Sequence, residues 1–362
     1  MLRVGIVGLP NAGKSTLFNA LTRGHVAVAL HPFTTVDPNV GDAEVPDLRL
    51  DRLAETLHPG RVVRAHVRFV DIAGLVRGAH RGEGLGNRFL AHVREVDALL
   101  VVLRAFESER SPHPEGTVDP ARDLDVLLTE MALADLESVE RSAGRAERRA
   151  AGTRDDRERE RAEALTRAVE ALRRGTPVRQ ALEKDDLARV RDAFLLTAKP
   201  LLVVLNVGEE DAGRDQEVVA RLRGSLPSDA EVVALCAKLE EEVEDLSEQE
   251  GAELLEGYGI RERGTARMAV AARRLLGLIT FYSIESDECR AWLVPEGTTA
   301  VEAAAEIHSD MARGFIKADV AAADALADAG SFAAARERGV VRAEGRDYVV
   351  RDGDVITFRF RA

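Results

Sequence analysis

The chain has 362 residues, enough for two or three domains, and its 45% apolar content supports packed cores. A net charge of −13 and 4% aromatic residues argue against bulk attraction to nucleic acid or membrane, leaving room only for a local basic patch. The two cysteines, Cys236 and Cys289, fit no metal or disulfide spacing, and no signal peptide or membrane-length apolar run is present, so a reducing cytoplasm is expected.

The first predicted elements are an apolar strand, Leu2 to Val7, and a helix from Ser15 to Arg23 that Gly24 ends. Between them Gly8-Leu9-Pro10-Asn11-Ala12-Gly13-Lys14-Ser15 fits G-x-x-x-x-G-K-[ST] in the strand–loop–helix context that a phosphate-binding loop requires. Backbone N–H groups from Asn11 to Thr16, with the positive helix end, are expected to cradle phosphates. Lys14 supplies a point charge at the β- and γ-phosphates and Ser15 a hydroxyl for Mg²⁺. A chance Gly-rich turn is the bland alternative, and the context argues against it.

Leu30 to Gly41 reads as a loop, with Thr35 (Thr34 second) placed to sense the γ-phosphate and complete the Mg²⁺ shell; an ordinary threonine loop is equally compatible. A strand from Arg64 to Val70 ends in Asp71-Ile72-Ala73-Gly74. There Asp71 can hold Mg²⁺ through water and the Gly74 amide can approach the γ-phosphate. Leu75 stands where Ras-like GTPases carry the glutamine that orients water, so hydrolysis is slow or another group positions the water. Val76 to Leu90 is Gly-rich, as a switch loop should be.

Val96 to Leu103 is a buried strand. Ala132, Leu136, Val139, Ala143, Ala146 and Ala150 then step by four and three, and a second seam returns through Ala162, Leu165, Val169 and Leu172. This predicts a helical hairpin with an Arg-rich tip around Arg141 to Arg161; because acidic residues interleave with the arginines, a solvated charged face is the reading of the tip that the sequence favours. After the strand Leu201 to Leu205 comes Asn206-Val207-Gly208-Glu209, where GTPases carry N-K-x-D. Glutamate in place of the guanine-reading aspartate, and valine in place of the base-covering lysine, point to ATP rather than GTP. Val232 to Leu235 is a further strand, and Cys236-Ala237-Lys238 takes the position of a base-contacting S-A-K loop. Every motif falls at the carboxyl end of a strand, as ligand sites do in open α/β sheets.

On the motifs GLPNAGKST, HPFTTVDPNVG, DIAGLVRGAHRGEGLGNRFL and NVGE, together with the final segment, the chain resembles the YchF family, or Obg-like ATPases, over nearly its whole length. The resemblance implies an α/β fold: a P-loop NTPase G domain with an inserted coiled-coil hairpin and a C-terminal β-grasp TGS domain. The corresponding divisions are 1–121 and 192–277, 122–191, and 278–362. It implies a ribosome-associated ATPase that prefers ATP to GTP and hydrolyses it slowly with Mg²⁺. The final segment, read on its own, agrees: strands Leu278 to Ser283 and Ala291 to Val294, and a capping box Thr299-Ala300-Val301-Glu302 opening a helix to about Arg313. A hairpin of Tyr348 to Val350 and Val355 to Phe360 turns at Asp352-Gly353.

By the same resemblance His113 matches a histidine proposed to position the attacking water, although an exposed loop histidine is equally compatible with its proline-flanked setting. Asn11 matches the asparagine that holds K⁺ in potassium-dependent relatives, and is also a good turn former. The arginine tip and the C-terminal domain are expected to flank one ribosome-binding cleft, in a monomer without membrane attachment. Two other readings stay open: a GTP-specific Obg-type assembly GTPase, and a nucleotide-switched binding module with incidental hydrolysis.

Overall fold

A computed structural model describes residues 2–22, 38–72, 85–153, 155–285 and 287–361, the side chains of 85–88 excepted. Thr34, Thr35, Gly74, Leu75 and Arg154, with residues 76–84 of the predicted switch loop, lie outside the described residues. The strands are β1 (Arg3–Val7), β2 (Asn39–Val45), β3 (Arg61–Val63), β4 (Ala65–Asp71), β5 (Ala98–Ala105), β6 (Leu201–Val207), β7 (Glu231–Leu235), β8 (Leu278–Glu285), β9 (Glu288–Pro295), β10 (Phe315–Ala322), β11 (Arg342–Glu344) and β12 (Asp354–Phe360). The chain divides into two compact units, Met1–Asp42 with Arg68–Met268, and Ala43–Val67 with Ala269–Ala362.

The first sheet has the order β2-β4-β1-β5-β6-β7, and β1 pairs in parallel with both β4 and β5. β6 is buried along its whole length and β5 up to its last residue, the continuous Val/Leu run of a parallel sheet covered on both faces. The phosphate-loop helix α1 (Lys14–Thr22) follows β1. In chain order come α2 (Leu48–Leu57), α3 (Leu85–Glu95), α4 (Pro120–Ala151) and α5 (Asp156–Arg173). α3 begins inside the predicted Gly-rich loop Val76 to Leu90: its last six residues are helical because Leu90 and Val93 enter the core beneath β5.

α4 starts where Asp119 caps the Arg122 N–H and Pro120 takes the first helical position. It serves two cores in turn. Leu124, Leu127, Met131 and Ala134 pack with the sheet, whereas Val139, Ala143 and Ala146 pack against Ala162, Leu165, Val169 and Leu172 of α5. α4 ends at Gly152, and Asp155 caps α5 through the Arg157 N–H.

The second sheet has the order β11-β10-β12-β8-β9-β3. Two local expectations fail here. The helix expected to reach Arg313 stops at Ile307; His308 is extended and its Nδ1 accepts from the Asp310 N–H, which starts a fresh turn, Ser309–Arg313. β12 pairs not with Tyr348–Val350 but antiparallel with β10 and parallel with β8. Asp354 instead ties the turn by accepting from Tyr348 Oη (2.8 Å) and Arg351 N (2.9 Å), leaving Val349 bridged only to Thr299. Segment 43–67 belongs to this unit: β3 pairs with β9, and Leu50 and Leu53 of α2 are wholly buried against Tyr282, Leu326 and Val355.

Candidate phosphate-binding site

Asn11 to Ser15 turn between β1 and α1 with two left-handed residues, Asn11 (φ 63°) and Gly13 (φ 89°). Asparagine tolerates that backbone and glycine favours it. At Gly13 a Cβ would also lie 2.2 Å from Asn206 Nδ2, so no side chain fits. Asn206, at the end of β6, donates from Nδ2 to Ala12 O (2.9 Å) and accepts the Ala237 N–H on Oδ1 (3.0 Å). One carboxamide thus joins the phosphate loop to Cys236-Ala237-Lys238. With the Ala12 carbonyl engaged from behind and the Ala12 N–H turned back to Leu9 O (3.4 Å), the N–H groups at the start of α1 are the ones left to face an anion.

Lys14 is nearly buried and donates to Leu9 O (3.0 Å). Burial pushes its ammonium down, against the charge of Asp71. Ser15 Oγ donates to Asp71 Oδ2 at 3.0 Å, bringing together a hydroxyl and a carboxylate from α1 and β4. Burial raises Asp71, opposed by the Ser15 hydrogen bond and the Lys14 charge. Both shifts mark charged groups short of solvent, a pattern typical of sites completed by a charged ligand. Two adjacent hard oxygen donors also fit the small share of the coordination shell that a protein gives Mg²⁺ when phosphates and water supply the rest. Thr16 continues the first turn of α1.

On the base side, Glu209 is not free. Lys238 Nζ lies 2.5 Å from its Oε1, and Tyr258 Oη donates to its Oε2 at 3.2 Å. The Lys238 hydrogen bond holds the Glu209 carboxyl below its ordinary range, and Glu209 in turn raises Lys238. Val207 is buried in the sheet core, as are Cys236 and Ala237; burial pushes the Cys236 thiol up. Tyr258 carried no sequence signal, because it lies 49 residues from the carboxylate it reaches.

His113 is packed away, its side chain 2% exposed. Nδ1 accepts the Glu115 N–H (3.1 Å), so the ring proton sits on Nε2, which donates to Asp123 Oδ2 (2.7 Å). With both nitrogens used, the ring has none for a water in this arrangement, and the residue is buried rather than the exposed loop histidine that was the alternative to a water-positioning role. Its neighbour Pro112 accepts from Asn11 Nδ2 (3.2 Å), so the segment is tied to the phosphate loop. Arg104, a cation closing an apolar strand, is a second residue passed over in the sequence; its Nη1 donates to Ser111 O at 2.7 Å.

Comparison with known proteins agrees with this geometry. Residues 3–140 match the family model described as "50S ribosome-binding GTPase", and residues 278–361 match YchF-GTPase_C, described as "Protein of unknown function (DUF933)". The ribosome-binding ATPase YchF of Bacillus subtilis is 44% identical over 363 residues, 99% of each chain, and that of Escherichia coli O157:H7 is 41% identical over 360. The solved YchF GTPase of Schizosaccharomyces pombe superposes with a TM-score of 0.84 at 32% identity, covering 99% of this chain and 97% of that one. A GTP-binding protein of Pyrococcus horikoshii, 19% identical with a TM-score of 0.61, shares the fold. With identity above 40% running the full length of both bacterial relatives, the chain belongs to the YchF family.

Proposed function

We propose that this chain is a ribosome-binding ATPase that binds ATP with Mg²⁺, in preference to GTP, and slowly hydrolyses the β–γ phosphoanhydride. The observation that carries the reading is the pairing of Ser15 with Asp71 at 3.0 Å beside a loop pegged by Asn206. Ser15 and Asp71, with Thr35, would hold the Mg²⁺, which neutralises charge on the β- and γ-phosphates. Lys14 binds those phosphates, the backbone of Asn11 to Thr16 surrounds them, and the Gly74 amide meets the γ-phosphate. Asn11, whose side-chain Nδ2 donates to Pro112 O, would offer its side-chain Oδ1 to K⁺. The relatives' names, ribosome-binding ATPase, support both activity and partner.

The state of Glu209 supports the base preference. Guanine offers two donors and needs both oxygens of a free carboxylate, but here one faces Lys238 and the other Tyr258. Adenine asks for a single acceptor, and Asn206, Val207, Cys236, Ala237 and Lys238 complete its surroundings. Roles are divided among a nucleotide domain (1–121 and 192–277, less the segments 43–67 and 269–277 that fold with the C-terminal unit), a helical insertion (122–191) and a TGS-type domain (278–362), in a cytoplasmic monomer. Among the described residues no helix is long and apolar enough to cross a membrane. The buried His113–Asp123 pair favours a second reading, a nucleotide-switched binding module in which hydrolysis is incidental.

Equilibrium titration of fluorescent ATP and GTP analogues with Mg²⁺ tests the first reading. ATP binds more tightly, and Glu209→Asp, which withdraws the carboxylate from Lys238 and Tyr258, narrows the difference. Tighter GTP binding would transfer the chain to the GTP-specific assembly class.

A further inference from the structure

Arg104 is the penultimate residue of β5 and, at 1% exposure, is the largest fully buried side chain among the described residues. Its hydrogen bonds all end on backbone carbonyls: Nε to Phe106 O (3.0 Å), Nη1 to Ser111 O (2.7 Å) and, at 3.5 Å, to Asn11 O. The guanidinium stacks on Phe106, 4.5 Å from the ring centroid. Nη2 is buried and meets no acceptor, and among the described residues no carboxylate pairs with the group. Arginine stays charged in any protein environment, and a charge withdrawn from water is costly unless an anion faces it.

The register places this unpaired cation beside the phosphate loop. Arg104 sits opposite Asn206 on the neighbouring strand, and the two reach consecutive carbonyls of the phosphate loop, Asn11 O and Ala12 O. We propose that Arg104 is a positioning residue for the nucleotide, and that the bound phosphates supply the counter-charge its guanidinium lacks. The inference rests on the phosphate-loop reading above and adds to it a fixed cation behind the loop. Because the same group holds Ser111 O, it also fastens the segment that carries His113.

A fixed charge acts in proportion to the charge it faces, so Arg104 favours ATP over ADP, whereas a mere peg on the loop would serve both equally. The test is titration of fluorescent ATP and ADP with Mg²⁺ on the full chain. Arg104→Gln lowers the ATP-to-ADP affinity ratio by about three- to tenfold, the effect of one unit charge across a protein interior. Arg104→Lys keeps the charge and holds the ratio within about twofold of wild type, although both affinities fall with the lost fork. Equal losses for the two nucleotides in Arg104→Gln, or a lysine variant as poor in ratio as glutamine, overturn the proposal. If Arg104→Gln does not fold, Phe106→Ala decides: water admitted to the guanidinium lowers the ratio, and an unchanged ratio overturns the idea. Wild-type protein that binds neither nucleotide would instead defeat the phosphate-loop reading itself.

Discussion

His113 and Asp123 form a buried pair in which each ring nitrogen is spent, yet His113 stands next to Pro112, which Asn11 of the phosphate loop holds. If His113 is the group that orders water, a histidine stored in this way must first leave its carboxylate, and Asp123 would then set part of the cost of hydrolysis. Asp123→Ala is therefore expected to raise steady-state ATP turnover severalfold while lowering stability by about 1–3 kcal/mol, the cost of an orphaned buried partner. His113→Ala in that background should abolish the gain. Turnover unaffected by either change would leave His113 as a strut and favour the switch reading. The motif residues were legible in the sequence because a phosphate loop is contiguous: spacing alone located Gly13, Lys14 and Ser15. Asp71 was found from its strand end. Arg104, Asp123 and Tyr258 were not, since each acts through a partner brought near only by folding.

α4 is a single helix of 32 residues, about 48 Å at 1.5 Å per residue, and its two halves answer to different cores. Asp123 lies in its first turn, so the histidine pair is fastened to the element that carries the hairpin tip. The seams were readable because 3.6-residue periodicity is a local signal, and each residue assigned to them lies in or against the hairpin core. The pairing of β3 with β9 was not readable: residues 61–63 meet 288–290 across more than two hundred positions, and no local pattern encodes that. The hairpin expected at Asp352-Gly353 failed for a related reason, because Asp352 accepts the Thr280 N–H (2.8 Å) and β12 finds β8 and β10 instead. Separate cores predict separable damage. Leu165→Ala, at a wholly buried position facing α4, should cost about 2–5 kcal/mol within the hairpin. Amide exchange in α5 should quicken while ATP affinity stays within about twofold; a parallel loss of affinity would show that the hairpin supports the nucleotide site directly.

At the scale of the whole chain, a net charge of −13 works against any polyanion, so the proposed ribosome binding would have to be local. Several tip arginines are already paired: Arg141 with Glu137, Arg159 with Asp156 and Arg161 with Asp192. Arg148 and Arg149 are exposed and make no ion pair among the described residues, so they are among the cations left for phosphates. In the C-terminal unit, Lys317, Arg336 and Arg359 surround the single carboxylate Asp319, a local excess of positive charge. Deleting 278–362 would be a poor test, because Leu50 and Leu53 would lose their cover and β3 its partner. Charge reversal is cleaner. Arg148→Glu with Arg149→Glu should weaken co-sedimentation with ribosomes about tenfold or more at moderate salt, and reduce the slope of log affinity against log salt by roughly one to two. Lys317→Glu with Arg359→Glu reports on the second unit in the same way, and ATP affinity should be unchanged in both. If only the first pair matters, the hairpin alone carries the ribosome contact and the C-terminal unit serves another purpose. If neither pair alters pelleting or its salt slope, binding does not run through phosphate contacts at these surfaces, and the two-surface expectation falls.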